Sequence, residues 1–404
     1  MNVVIVGCGV AGVTAATVLR QISPDVKVEM YTDEKHPYYP RPELYRILSG
    51  ETQPAEIYGF SKEWFEDRGI RTQLGKKVVS INPATKELLL DDGTKADYDK
   101  LLLANGAHPF MPPAKGVEKT GVFTLRNMED ALKIRDYAKK VGKAIVVGGG
   151  LLGLEFAASL RRLGQKVDVV EIFPRLLPNQ LDVDGAAVFK RLVERIGINV
   201  VLGAKTQEIL GEGTVSGIAL DDGRELQGGL VLFSAGVRSN IELASEAGIK
   251  VNRGVVVDHY LETSAADIYA VGDVAEFEGR VYGIIPAAEE QARTAALNML
   301  DKKIAYAGTI PSNTLKVVGI DLTSIGVVNP EGSKYEEVKR ADVEKGIYRK
   351  IVLDKGKIVG AIVLGDKRAA TAIMKLMELG KDVSQYKEAM LEDNFDFRRA
   401  LSSP

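Results

Sequence analysis

The 404 residues contain a single cysteine, Cys8. One thiol makes no internal disulfide, no Cys pair for zinc and no dithiol relay, which excludes the enzyme classes that move electron pairs through paired sulfurs. The three histidines, His36, His108 and His259, have no Cys or His neighbours at ligand spacing, so no metal site is expected. An excess of one charge is missing too. Lys+Arg is 53 against 55 for Asp+Glu, a net charge of -2, which gives no overall pull toward nucleic acid. Long hydrophobic runs are absent. The longest apolar segment, 144–160, carries Glu155 and four glycines and reads as strand, turn and helix, so no membrane span is expected. The first apolar run, Val3 to Val6, has no basic stretch before it, so a signal peptide is not expected and a cytoplasmic location is. The 45% hydrophobic and 27% charged content is that of a folded chain, and the length suits about three domains.

The chain does hold a repeated glycine pattern. Asn2 to Val6 reads as a short buried strand, and Gly7, Gly9 and Gly12 follow in G-x-G-x-x-G spacing. Val10 to Ile22 has helical composition. A second strand, Val26 to Tyr31, leads to Asp33 and Glu34, with Asp33 21 positions after Gly12. Strand, glycine turn, helix, strand and acid in this order make a dinucleotide-binding unit. The first glycine permits the tight turn, the second admits a pyrophosphate, and the third lets helix and strand pack closely. The helix N-terminus then turns free N–H groups toward the phosphates. Asp33 is the expected ribose acceptor. The same order returns with Gly148, Gly150 and Gly153, a helix opened by Leu151 and Leu152, and Glu171 18 positions after Gly153. A lone pattern is as well read as a plain glycine turn. Two complete units 141 residues apart point to two dinucleotides on two domains.

Lys100 to Ala104 and Leu230 to Ser234 read as buried strands that run into glycine-containing turns at Gly106 and Gly236. A further strand, Asp267 to Val271, ends at Gly272-Asp273, ahead of a helix from about Ala287 to Leu300. The expected fold class is α/β, with two Rossmann-like domains and a C-terminal α+β domain. The first domain comprises 1–108 and 239–307, the second, 109–238, is inserted in it, and 308–404 forms the third. Within the third, 348–353 and 358–364 read as a hairpin, and 369–379 and 384–391 as amphipathic helices.

Further motifs narrow the reading. They are Arg41-Pro42 in YYPRPEL, Ala104-Asn105-Gly106, Arg126 in TLRNMEDA, the run RLLPNQLD from Arg175 to Asp182, and Gly272-Asp273. With these, the chain resembles FAD-dependent pyridine nucleotide oxidoreductases of the NADH–rubredoxin reductase type over almost its whole length. It is similar to the N-terminal half of assimilatory NADH nitrite reductases, and more distantly to oxygenase-coupled ferredoxin reductases and apoptosis-inducing factor. The resemblance implies FAD on the first unit and NADH on the second. It implies that Arg41, Pro42, Val78, Ala104, Asn105, Gly106, Arg126, Gly272 and Asp273 contact FAD, with Asp273 on the ribityl chain. Gly236, Ile285 and Pro286 are carried over as cofactor contacts in the same way. It also implies that Glu155 lies near the nicotinamide and pairs with a basic residue beside the flavin, for which Arg46 is the candidate. Glu155 and Arg46 are thus the expected catalytic pair, where a surface glutamate is the plainer reading.

Departures from the family pattern matter. Asn105 replaces a threonine and keeps a polar side chain. No tryptophan lies in GIIPAAEEQ, where ferredoxin reductases carry an indole; Ile285 is nearest. The stretch Arg41 to Gly50 has no redox cysteine. Cys8 reads as a small packed residue rather than a nucleophile. Lys316 reads equally as a plain strand lysine or as one facing the flavin or an acidic partner. The expected activity is oxidation of NADH by bound FAD with onward transfer to a one-electron carrier such as rubredoxin. An NADH oxidase using dioxygen, and an NADH-binding sensor or electron-transfer subunit of a larger complex, are the alternatives. The sequence leaves a homodimer open.

Overall fold

The computed structural model describes residues 1–309, 312–332 and 334–402, with backbone alone for 312–317. Two five-stranded parallel sheets carry the glycine units. In the first, the strands lie in the order Ile268–Ala270, Lys100–Leu103, Asn2–Val6, Lys27–Thr32, Ile70–Leu74. In the second the order is Ile198–Leu202, Lys166–Glu171, Lys143–Val147, Leu230–Phe233, Val122–Thr124. Each glycine strand is central and nearly all aliphatic, because a parallel sheet is covered on both faces. Val3, Val4 and Ile5 are fully buried, as are Ala144, Ile145 and Val146. Each sheet has a three-stranded antiparallel meander attached, at 78–97 and at 206–227. The two units are therefore structural repeats of one another.

The chain passes between the sheets along a short antiparallel ribbon, Ala107–Pro109 against Val237–Ser239. Asn105 and Asn240 lock its root by exchanging bonds, Nδ2 of each donating to the other's carbonyl at 3.0 and 2.6 Å. Beyond Gly308 the C-terminal sheet is antiparallel. Its strands lie in the order Ser312–Val317, Ile320–Gly326, Lys357–Leu364, Ile347–Asp354, Glu336–Asp342, and helix Lys367–Glu378 packs on it. The hairpin expected around 354–357 is there, with Asp354 paired to Lys357.

Two sequence expectations need correction. The helix expected from Ala287 runs Ile285–Met299, because Pro286 fits a first turn, where its missing N–H costs nothing. The helix expected over 384–391 is two 3-10 turns, Ser384–Tyr386 and Ala389–Leu391. The buried Arg349 guanidinium draws the carbonyls of Met390 and Glu392 to itself, at 3.3 and 2.6 Å, and the chain cannot continue as a helix. The Lys316 side chain lies outside the described residues. No helix among the described residues is long and apolar enough to cross a membrane.

Candidate functional site

The two glycine turns match atom for atom in what they require. Gly7 and Gly148 have φ of +112° and +121°, where an L side chain is strained. A Cβ at Gly7 would overlap the carbonyl oxygen of Ala104, and one at Gly148 that of Ser234. Gly12 and Gly153 lie just as close to the carbonyls of Gly7 and Gly148. Gly9 and Gly150, by contrast, have no protein atom within 4 Å of an ideal Cβ. They are the N-caps of helices Val10–Ile22 and Leu151–Arg162, and neither cap carries a side-chain hydrogen bond. Each turn thus presents an open backbone face and an uncapped helix N-terminus, which is the chemistry of a pyrophosphate seat.

Around the first turn the structure gathers a line of charges from four parts of the chain. Glu34 Oε1 meets Arg41 Nη2 at 2.5 Å, and Tyr39 donates its hydroxyl to the same carboxylate. Arg41 Nη1 donates to the Arg126 carbonyl at 2.6 Å. Arg126 Nη2 in turn meets Asp273 Oδ2 at 3.1 Å, and lies beside Gly106. Burial opposes the charge on Arg41, but Glu34 and Tyr39 outweigh it and raise its pKa. Burial and then the nearby Arg41 lower that of Arg126. Arg126 Nε and Asn105 Oδ1 are buried without a hydrogen-bond partner. Unpartnered groups beside an open glycine turn are what a bound polar cofactor would satisfy.

A cleft beside this turn is lined by Cys8, Gly9, Glu34, His36, Tyr38 and Arg41, among others. Glu34 lines it, whereas Asp33, the expected ribose acceptor, is exposed and is not among the lining residues. His36, for which the sequence offered no Cys or His neighbour, sits between Glu129 Oε1 at 3.1 Å and the Tyr58 hydroxyl at 2.8 Å. Asn240 was missed as well, although it follows directly on the Val237–Ser239 strand that mirrors the one after Asn105. Val78 is a buried strand residue. Ile285 and Pro286 open a helix, with Ile285 exposed, and Leu152 is exposed on the second helix. Gly236, at φ +96°, faces open space. Among the described residues no group of three or more His, Cys, Asp or Glu is placed to hold a metal ion.

The expected Arg46–Glu155 pair does not form. Arg46 bonds Glu43 at 2.9 Å, three residues back on the same turn of chain. Glu155 accepts instead from the Val318 backbone N–H at 2.8 Å. Burial raises the Glu155 pKa, and the Val318 N–H partly offsets this.

Burial, followed by the charge of Glu34, pushes the Cys8 thiol up to about 12. At neutral pH it is no thiolate and hence no nucleophile. Replacing Cys8 with Ala is therefore expected to leave NADH-driven turnover within about threefold of wild type, a barrier change under roughly 0.7 kcal/mol. Steady-state rates on flavin-loaded protein check this; loss of turnover with flavin retained would contradict it.

At the second turn Glu171 is buried, with Oε2 accepting from Gly149 N at 2.7 Å and Oε1 from Phe173 N at 2.9 Å. A carboxylate at this end of the strand is the expected acceptor for an adenosine ribose, and its charge would repel a 2′-phosphate. Arg175, four residues on, is not free to swing toward such a phosphate, because its guanidinium donates to the carbonyls of Leu181 and Pro178. A preference for NADH over NADPH of about tenfold or more, roughly 1.4 kcal/mol, is expected. Comparing kcat/KM for the two nucleotides tests it, and equal values would refute the role of Glu171.

A family model described as pyridine nucleotide-disulphide oxidoreductase matches residues 1–295. The chain belongs to that family. Residues 311–381 match a second model, the rubredoxin NAD+ reductase C-terminal domain. The chain is 32% identical to the NADH-rubredoxin oxidoreductase of Clostridium acetobutylicum over 94% of its own length and 95% of that protein's. It is 34% identical to a nitrite reductase [NAD(P)H] of Bacillus subtilis over 95% of this chain but 48% of the relative. Against such nitrite reductases it spans about half their length. A solved ferredoxin reductase from Rhodopseudomonas palustris superposes with a TM-score of 0.89 at 30% identity, over 99% of both chains. The family uses FAD and NAD(P)H, and the open turn, the buried unpartnered Arg126 and Asn105 atoms and the ion-pair line fit an FAD molecule on the first unit.

Proposed function

We propose that this oxidoreductase takes electrons from NADH through bound FAD and hands them singly to a small carrier protein such as rubredoxin. The observation that carries the reading is the pair of equivalent glycine turns in one chain, the first flanked by the Glu34–Arg41–Arg126–Asp273 line. In this reading the nucleotide segment 109–238 is inserted between 1–108 and 239–307, and 308–404 forms a separate third domain. FAD, when bound, supplies two-electron acceptance and one-electron release, which no side chain offers.

The chain's own residues bind and orient. The uncapped helix 10–22 would take the pyrophosphate, Glu34 the adenosine ribose, and Asp273 the ribityl hydroxyls. Arg126 and Arg41 would hold positive charge against the cofactor. Val78, Ala104, Asn105, Gly106, Pro42, Ile285 and Pro286 would line the same site. Gly148, Gly150, Leu151, Leu152, Gly153, Glu171 and Gly236 would hold NADH. Glu155, half-buried and held by Val318 N–H, is the group offered to the nicotinamide end, without Arg46. With Cys8 half-buried and protonated, no thiol in this chain relays electrons, although the family is named for disulphide chemistry. The C-terminal match and the Clostridium relative, both named for rubredoxin, support the choice of carrier. A cytoplasmic setting agrees with NADH as donor. The test is steady-state NADH consumption with rubredoxin, with dioxygen alone and with neither. Rates at least about tenfold higher with rubredoxin are expected. Equal rates with dioxygen alone would make it an oxidase, and negligible rates in all three would make it a binding protein.

A further inference from the structure

The run from Arg175 to Asp182 joins the strand Lys166–Glu171 to the helix Val183–Arg195, and it touches the second glycine turn at its start and the C-terminal sheet at its end. At its start, Leu177 N donates to the carbonyl of Gly149, the residue between Gly148 and Gly150, at 3.3 Å. Leu176 packs its side chain on the same glycine. Since Glu171 accepts from Gly149 N–H, this one residue is held through both its N–H and its carbonyl, in the two peptide groups that flank it. Leu177 is fully buried with φ +50°, a conformation a branched side chain keeps only when its surroundings impose it. Arg175 ties the loop back on itself through Pro178 and Leu181.

At its end, Asp182 caps helix Val183–Arg195 through Gly185 N at 2.9 Å. Its other oxygen accepts from the Tyr348 hydroxyl at 2.6 Å and lies 3.2 Å from Lys350 Nζ. Tyr348 and Lys350 stand on the strand Ile347–Asp354 of the C-terminal sheet, and both are buried. Glu337 on the neighbouring strand completes the pairing of Lys350 at 2.7 Å. Burial alone would raise the Asp182 carboxyl, but these donors outweigh it and hold it low. Three polar groups taken out of water yet fully partnered make a stiff anchor.

We propose that the Tyr348–Asp182–Lys350 anchor positions the second glycine turn through the 175–182 run, so that the C-terminal domain sets the affinity for NADH. The inference rests on the reading that this turn binds NADH. Tyr348 and Lys350 are positioning residues, since they act through Asp182 and Leu177. The experiment uses full-length, FAD-loaded Tyr348→Phe, which removes one hydroxyl. NAD+ binding is measured by calorimetry, and NADH KM, kcat, flavin content and melting temperature are measured alongside. The expected result is an NAD+ Kd and an NADH KM raised about fivefold or more, with kcat and flavin content within about twofold. Lys350→Met should move Kd the same way. That variant leaves the Asp182 charge buried and is the more prone to unfold, in which case Tyr348→Phe decides. A lower melting temperature with unchanged Kd and KM would show a structural role only and overturn the inference. So would a fall in kcat at unchanged Kd. A wild-type protein that binds no NAD+ would instead overturn the proposed function itself.

Discussion

Gly7→Ala is expected to yield protein without flavin. The position has φ +112°, so a side chain there costs at least about 1–2 kcal/mol before any contact is made. The added methyl also meets the Ala104 carbonyl oxygen. That carbonyl follows the strand Lys100–Leu103, which is buried and paired on both sides, so the strand does not yield. The turn must open, and the N–H groups that would face the phosphates turn away. Flavin content should fall at least about tenfold, the ratio that 1.4 kcal/mol of lost binding gives. The ratio of flavin to protein absorbance measures it. Gly9→Ala supplies the control, because its Cβ meets no protein atom within 4 Å. It should fold as wild type and lose flavin only through contact with the cofactor. Full flavin occupancy in Gly7→Ala would remove FAD from this turn.

Gly148→Ala should separate the two sites. The same strain and overlap recur there, now against Ser234, at φ +121°. The first sheet shares no strand with the second, so flavin should stay bound at wild-type level. The rate of flavin reduction by NADH should fall about a hundredfold or more, roughly 2.7 kcal/mol. Anaerobic mixing with NADH reads this directly. A variant that loses its flavin while still binding NAD+ would reverse the assignment of the two units.

The glycine units were legible because backbone geometry leaves no other residue at Gly7, Gly12, Gly148 or Gly153, and spacing records that demand. The choice between Asp33 and Glu34 was not. The two are neighbours, and what distinguishes them in the structure is that Tyr39 and Arg41 reach back from the loop to Glu34, which lines the cleft. The Arg46–Glu155 pair failed for a similar reason. A glutamate three residues away is always within reach of an arginine on a helical turn, and Glu43 captured it. The partner Glu155 did find comes from a hairpin tip 163 residues later, which no local pattern announces. In the C-terminal domain the hairpin at 354–357 was plain from two apolar runs on either side of a turn. The broken helix at 384–391 was not, because its cause is Arg349, buried on a strand some forty residues earlier.

The central claim is that electrons enter from NADH in pairs and leave singly to a protein carrier, with no sulfur between. The most direct measurement is the anaerobic stoichiometry of rubredoxin reduction by the flavin-loaded protein with limiting NADH. Two rubredoxins reduced per NADH consumed, with glutathione disulfide left untouched in a parallel reaction, is the predicted result. Rapid NADH oxidation that leaves rubredoxin oxidised, or fast reduction of the disulfide, would contradict it.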